Sequence, residues 1–270
     1  ANVVSVFDIG KSDNTYFIVM EYVEGTTLKK LLEQISRDGQ ALSVPLVLWI
    51  INEVLKGLEY AHRLGDPETG EPLDIVHRDI SPPNILISWN GEVKLTDFGL
   101  AKATTQLEST DQGVVKGKFS YLSPEAAHGK AVDRRTDIFA VGILAWEMLS
   151  GRRLFLGETD WQTVELVRKA EVPPLSQLRQ DVPPSLDKVM ARALARDPEA
   201  RYDTCSEFAD DLLAILFQQG IKVGARELSA VLLPLRHAGK EPSKPEKPGE
   251  KSGVDLIVQY RPPQALAATV

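Results

Sequence analysis

The stretch His77-Arg78-Asp79-Ile80-Ser81-Pro82-Pro83-Asn84, with Asp97-Phe98-Gly99 thirteen positions after Asn84, restricts this chain more than any other feature. It places two carboxylates and a carboxamide, all hard oxygen donors, within about twenty residues. Magnesium takes one or two protein oxygens of this kind and fills its near-octahedral shell with phosphates and water. Asn84 and Asp97 fit that demand, and Asp79 can accept the proton of an attacking hydroxyl. Gly99 gives freedom to the backbone behind Asp97, and Phe98 can be buried to hold that aspartate in place. Singly, each polar residue reads as a turn former. Their order and spacing together point to phosphoryl transfer.

The remainder of the chain supplies a scaffold that changes character along its length. Val3–Ile9 and Tyr16–Tyr22 are β-branched and aromatic runs separated by Gly10-Lys11-Ser12-Asp13-Asn14, which predicts an antiparallel pair. Thr26 or Thr27 can cap a short helix to Ile35. A long amphipathic helix is expected from Ser43 to about Leu64, with Leu48, Ile51, Leu55, Leu58 and Ala61–His62 at three-four spacing and Pro45 in its first turn. Past the polar loop Asp66–Asp74 come short strand candidates at Ile75–Val76, Ile85–Ile87 and Val93–Leu95. Asn90-Gly91 is a hairpin turn between the last two.

Residues 102–118 lack periodicity and read as a loop. Helices follow at Thr136–Leu149, Trp161–Lys169, Leu186–Leu194, Ser206–Gln218 and around Ala225–Leu235. Lys240–Gly253 is nearly all Lys, Pro, Glu, Ser and Gly, which predicts a flexible linker. Val254–Tyr260 has strand composition but would need a partner.

A net charge of −7 argues against nucleic acid or anionic lipid as partner. No apolar run has the length of a membrane span. One cysteine, Cys205, excludes an internal disulfide, suits a reducing, cytoplasmic setting and reads as a small buried side chain.

Five segments in order give the chain its likeness to a known family. They are His77–Asn84, Asp97-Phe98-Gly99, Ser123-Pro124-Glu125, Asp137-Ile138-Phe139-Ala140-Val141-Gly142 and Asp197-Pro198-Glu199-Ala200-Arg201-Tyr202. Over Val3 to Leu216 the chain resembles a protein kinase domain. The resemblance implies an α+β fold, mostly the helical C-lobe with the last strands and hinge of the N-lobe. Residues 1–23 would be the N-lobe remnant and hinge, 24–220 the C-lobe, 221–237 a helical extension, 238–253 the linker and 254–270 a tail that could start a further module.

It also implies ATP and Mg2+ as cofactors and a protein substrate, with autophosphorylation in trans as a possible route. Asp79 would be the catalytic base, with Asn84 and Asp97 on magnesium. Met20 would be the gatekeeper, backbone groups of Glu21 and Val23 would bind adenine, and Leu86 would lie beneath the ring. Glu125 and Arg201 would form a buried ion pair, and Asp137 would anchor the catalytic loop. Arg78 would pair with a phosphate on Thr104, Thr105, Ser109 or Thr110. Pro124-Glu125 points to a protein rather than small-molecule acceptor, and Ser81-Pro82 to Ser/Thr rather than Tyr.

Two departures from the family pattern look linked. Ser81 stands where Ser/Thr kinases usually carry a lysine, and Lys118 stands where they usually carry a threonine. The two side chains meet in the family, so Lys118 is expected to supply the charge that Ser81 lacks. These variants resemble bacterial members of the eukaryotic-like Ser/Thr kinases. The Gly-rich phosphate loop, its lysine strand and the partner glutamate would lie before Ala1, which makes the chain an N-terminally truncated, nearly inactive piece. Apolar faces at Val4, Val6 and Ile18 would then be exposed. A pseudokinase scaffold and a small-molecule phosphotransferase are the alternative readings.

Overall fold

The computed structural model describes residues 2–12, 15–98, 118–238 and 258–260. Strands β1 (Val6–Ser12) and β2 (Thr15–Glu21) form the antiparallel pair, in register from Val6 opposite Met20 to Ser12 opposite Thr15. A bulge interrupts the ladder between Val6 and Asp8. A three-residue strand, β3 (Gly25–Thr27), runs straight into α1 (Leu28–Arg37), whose N-cap Thr27 accepts a hydrogen bond from Lys30 N. Gly25 is required here, since a Cβ would lie 1.9 Å from the Ile87 carbonyl oxygen.

Helix α2 (Val44–His62) carries Pro45 in its first turn and buries most of its apolar side chains. Strands β4 (Ile85–Ser88) and β5 (Val93–Leu95) form the hairpin, and β3 pairs antiparallel with β4. The one-turn α3 (Pro124–Ala127) precedes α4 (Arg134–Ser150), which is buried from Thr136 to Leu149. Helix α4 ends at Gly151 in the left-handed region (φ 68°), the usual cap for a helix C-terminus. Around it lie α5 (Asp160–Lys169), α6 (Pro184–Ala193) and α7 (Cys205–Gln218). Then come α8 (Ala225–Val231), α9 (Leu233–Ala238) and a last strand β6 (Val258–Tyr260). One hydrophobic core runs through α1, α2, β4, β5, α4, α6, α7 and α8.

Several expectations need correction. Ile75–Val76 pairs with no strand. The first predicted strand divides: Val4 N donates to Leu95 O, Leu95 N donates to Asn2 O, and β1 begins only at Val6. Val4 is therefore buried rather than exposed, because residues 2–4 lie alongside β5. Ile18 is half-buried, while Val6 remains exposed. The helix expected around 225–235 breaks at Leu232, two residues before Pro234, which has no N–H to continue the helical ladder. The tail strand does have a partner, β2, to which it is parallel at Val19 to Glu21.

Candidate active site

The site is built outward from Asp137 in the first turn of α4. A buried carboxylate is costly unless hydrogen-bonded, and this one is surrounded by donors. Oδ1 accepts from Arg78 N at 2.8 Å, and Oδ2 accepts from His77 N at 2.8 Å and lies 2.8 Å from His62 Nε2. Holding these successive amides sets Arg78 at φ 69°, a left-handed conformation that side-chain-bearing residues adopt at a cost of about 1–3 kcal/mol. The turn delivers Asp79 to the surface, where it is exposed.

His77 closes the loop from inside. Its Nε2 lies 3.0 Å from Thr96 O and its Nδ1 3.3 Å from Asp79 N. The carbonyl can only accept and the amide can only donate, so the ring is neutral with its proton on Nε2. Burial, the largest influence, holds the His77 pKa below its ordinary value despite the nearby charges of Asp137 and Asp79. The Phe98 ring sits 4.3 Å away, centroid to centroid, and Thr96 N donates to Asn84 O. These contacts lock the two motif segments together.

Asp79, Asn84 and Asp97 converge as a result. Asn84 ends a 3-10 turn, Pro82–Asn84, and its Nδ2 donates to Asp79 O at 2.8 Å and Asp79 Oδ2 at 2.9 Å. The Asn84 side-chain oxygen, Oδ1, is thereby left for another ligand. Asp97 is half-buried at φ 63°. Burial raises its pKa and the neighbouring Asp79 charge raises it further, with His77 opposing; no hydrogen bond among the described residues stabilises its charge. A carboxylate so placed gains from a cation, and the two-oxygen set of Asn84 and Asp97 fits magnesium. Among the described residues no group of three or more His, Cys, Asp or Glu could cage a metal.

The other candidate residues are distributed unevenly. Ser81 is half-buried, and its carbonyl accepts from Asn84 N. Lys118 is described through its backbone, as the first residue of the 3-10 turn Lys118–Tyr121. Gly99, Thr104, Thr105, Ser109 and Thr110 lie outside the described residues. Met20 lines a largely apolar cavity of about 240 Å³ with Val4, Ile18, Asp97 and Phe98. Glu21 ends β2, where its N–H donates to Ser5 O and its side chain pairs with Lys94. Val23 follows outside any strand. Leu86 alternates with the buried Ile85 and Ile87 and so faces the half-exposed side of its sheet.

Below the site, Arg201 makes a two-pronged bond to Glu125, Nη1–Oε1 at 2.8 Å and Nη2–Oε2 at 2.7 Å. Thr136 Oγ1 also donates to Glu125, and the Arg201 guanidinium lies over the Phe139 ring. A second cluster, around the buried Glu147, was not foreseen: Tyr121 Oη donates to Glu147 Oε2, and Arg153 bonds the other oxygen. His62 was missed as well. Its place on the apolar stripe of α2 disguised it as a core position, although a histidine among Leu, Ile and Ala was itself the available signal.

Comparison with known proteins gives a consistent answer. Residues 1–213 match the sequence profile described as the protein kinase domain. The chain is 40% identical over 240 residues to the tyrosine-protein kinase MasK of Myxococcus xanthus, covering 89% of this chain and 37% of that protein. It is 38% identical over 211 residues to the serine/threonine-protein kinase PrkC of Bacillus subtilis (78% of this chain, 31% of the relative). Identity to the serine/threonine-protein kinase PknL of Mycobacterium tuberculosis is 40% over 212 residues (78% and 50%). The chain thus spans about a third to a half of these relatives. Among solved structures, the PknI kinase domain of Mycobacterium tuberculosis superposes with a TM-score of 0.57 at 27% identity, covering 79% of this chain and 71% of that one. With the profile running through the catalytic loop, Asp97-Phe98 and the Glu125–Arg201 pair alike, this chain belongs to the protein kinase domain family.

Proposed function

We propose that the protein transfers the γ-phosphoryl group of ATP to serine or threonine hydroxyls of protein substrates. The observation that carries this reading is the junction of Asn84 with Asp79, held opposite Asp97 by the His77–Thr96 and Asn84–Thr96 bonds. The acceptor oxygen attacks the γ-phosphorus, the bond to the β,γ-bridging oxygen breaks, and Asp79 takes the hydroxyl proton. Magnesium, held by Asn84 and Asp97, would neutralise charge on the phosphates. Met20, Glu21, Val23 and Leu86 would border the adenine.

Lys118 supplies the ammonium that Ser81 cannot, acting on the charge of the transferring phosphoryl group. Arg78 pairs with a phosphate carried on Thr104, Thr105, Ser109 or Thr110. In this reading residues 1–23 are the end of a small lobe, 24–220 the large lobe, 221–237 an extension and 238–253 a linker to the 254–270 tail. The setting would be cytoplasmic. Among the described residues no helix is long and apolar enough to cross a membrane.

In the full-length protein with radiolabelled ATP, phosphoryl transfer should occur and Asp79→Asn should abolish it. Lys118→Met should cut turnover about 10²–10³-fold, as loss of one charge-stabilising donor does, while nucleotide affinity holds. Nucleotide binding without transfer would favour a scaffold instead. Because MasK is described as a tyrosine-protein kinase, phosphoamino-acid analysis of the product decides the acceptor.

A further inference from the structure

Three side chains from three helices form a buried line behind the catalytic loop. Cys205 opens α7, His62 closes α2 and Asp137 sits in the first turn of α4. Cys205 Sγ lies 3.7 Å from His62 Nδ1, and His62 Nε2 lies 2.8 Å from Asp137 Oδ2. The thiol is fully buried, and the side chains of His62 and Asp137 are 3% and 1% exposed. Ser206 N donates to Glu59 Oε2, which fixes the start of α7 against α2 and keeps the line assembled.

We propose that Cys205 and His62 are positioning residues for the catalytic loop, passing hydrogen bonds from the α7 terminus through Asp137 to the His77 and Arg78 amides. The direction follows from donor inventory. The Asp137 carboxylate already accepts both amides and can only accept, so the His62 proton sits on Nε2. On a neutral ring Nδ1 then carries a lone pair, to which the thiol donates. Burial raises the Cys205 pKa well above the ordinary thiol value, so the proton stays on sulfur. This is the reverse of a nucleophilic Cys–His pair, in which the ring removes the thiol proton. The sulfur has no access to a substrate, and its role is to fix the tautomer of the ring.

The consequence reaches the chemistry through one atom. Asp137 Oδ2 is shared by the His62 ring and the His77 amide. With the thiol removed, the His62 ring can turn or exchange tautomer, and Oδ2 loses a donor. The carboxylate is then freer to rotate, and the strained Arg78 turn that presents Asp79 loosens. The effect on turnover rests on the kinase reading; the relay itself does not.

The test is built to separate the two. Long-range ¹H–¹⁵N correlation on this chain reads the tautomer of His62, one of four histidines. We expect a proton on Nε2, with an Nδ1 resonance that moves in Cys205→Ala and returns most of the way in Cys205→Ser. Exchange of the Arg78 amide should accelerate about three- to tenfold in Cys205→Ala, the range that one buried hydrogen bond supplies. In the full-length protein kcat should fall by a similar factor with KM for ATP unchanged, and Cys205→Ser should recover it. A proton on Nδ1, protons on both nitrogens, or an Nδ1 resonance indifferent to Cys205→Ala would overturn the relay. An intact relay with unchanged Arg78 exchange and kcat would overturn the positioning role. Should the full-length protein transfer no phosphate, the kinase reading fails, and the Arg78 exchange rate still decides the positioning role.

Discussion

At the scale of single residues, the Glu125–Arg201 pair ties the short helix α3 to the helical body. Burial pushes the Glu125 carboxyl up, but the Arg201 hydrogen bond and charge, aided by Thr136, pull it down past its ordinary value of 4.5. A carboxyl whose folded pKa lies below its unfolded one stabilises the fold above the unfolded value. That contribution disappears as pH falls through the folded value. Arg201→Met should cost about 3–5 kcal/mol at neutral pH, since it leaves Glu125 buried and unpaired. Glu125→Gln should flatten the stability loss between about pH 5 and the acid limit. Urea titrations at a series of pH values check both. An acid limb unchanged in Glu125→Gln would show that other carboxylates govern it.

At the scale of elements, the contrast between α7 and α8 is instructive. Phe217 near the end of α7 is 88% exposed, whereas Leu228 in the much shorter α8 is fully buried. Helix α8 is held by Leu228 and Leu232, by Ser229 Oγ donating to Trp89 O, and by the turn at Gly91. Gly91 has φ 87°, and a Cβ there would lie 2.0 Å from Ala225 O, so only glycine lets α8 approach the hairpin. Leu228→Ala should therefore cost about 2–5 kcal/mol, as a core truncation does, and Phe217→Ala within about 0.5 kcal/mol, as a surface change does. Denaturant midpoints decide it; equal losses would mean that α8 does not dock as a unit.

The same elements show what sequence could and could not reveal. Helices α2 and α4 were readable because three-four periodicity or a continuous apolar run marks a buried helix. That Asp79, Asn84 and Asp97 come together was readable because one proposed chemistry asks for these residue types in this order. Strand β3 was not, since three residues hold too little pattern and its threonines also suit a cap. Nor was the partner of β6, because strand pairing is a property of the edge that receives it. The roles of His62 and Cys205 depended on three helix ends meeting, which no local window contains.

At the scale of the whole molecule, the chain joins a well-buried helical body to a thin sheet in the order β1-β2-β6. Among the described residues strand β1 is an edge of that sheet, and its side chains do not alternate cleanly. The bulge between Val6 and Asp8 resets the pleat, so Val6, Phe7 and Ile9 are all exposed, at 56%, 55% and 66%. An edge strand with apolar groups facing solvent is a template for pairing with another copy. This chain should accordingly self-associate with increasing concentration. Ile9→Lys puts a charge on that edge at a position already in water, so it should shift the equilibrium towards monomer while changing stability by no more than about 0.5 kcal/mol. Sedimentation velocity across a concentration series, paired with a urea titration of the same sample, separates the two effects. If wild type and Ile9→Lys associate alike, the contact between copies lies elsewhere. A monomeric wild type would mean that the bulge alone is enough to twist this edge out of reach of a second copy.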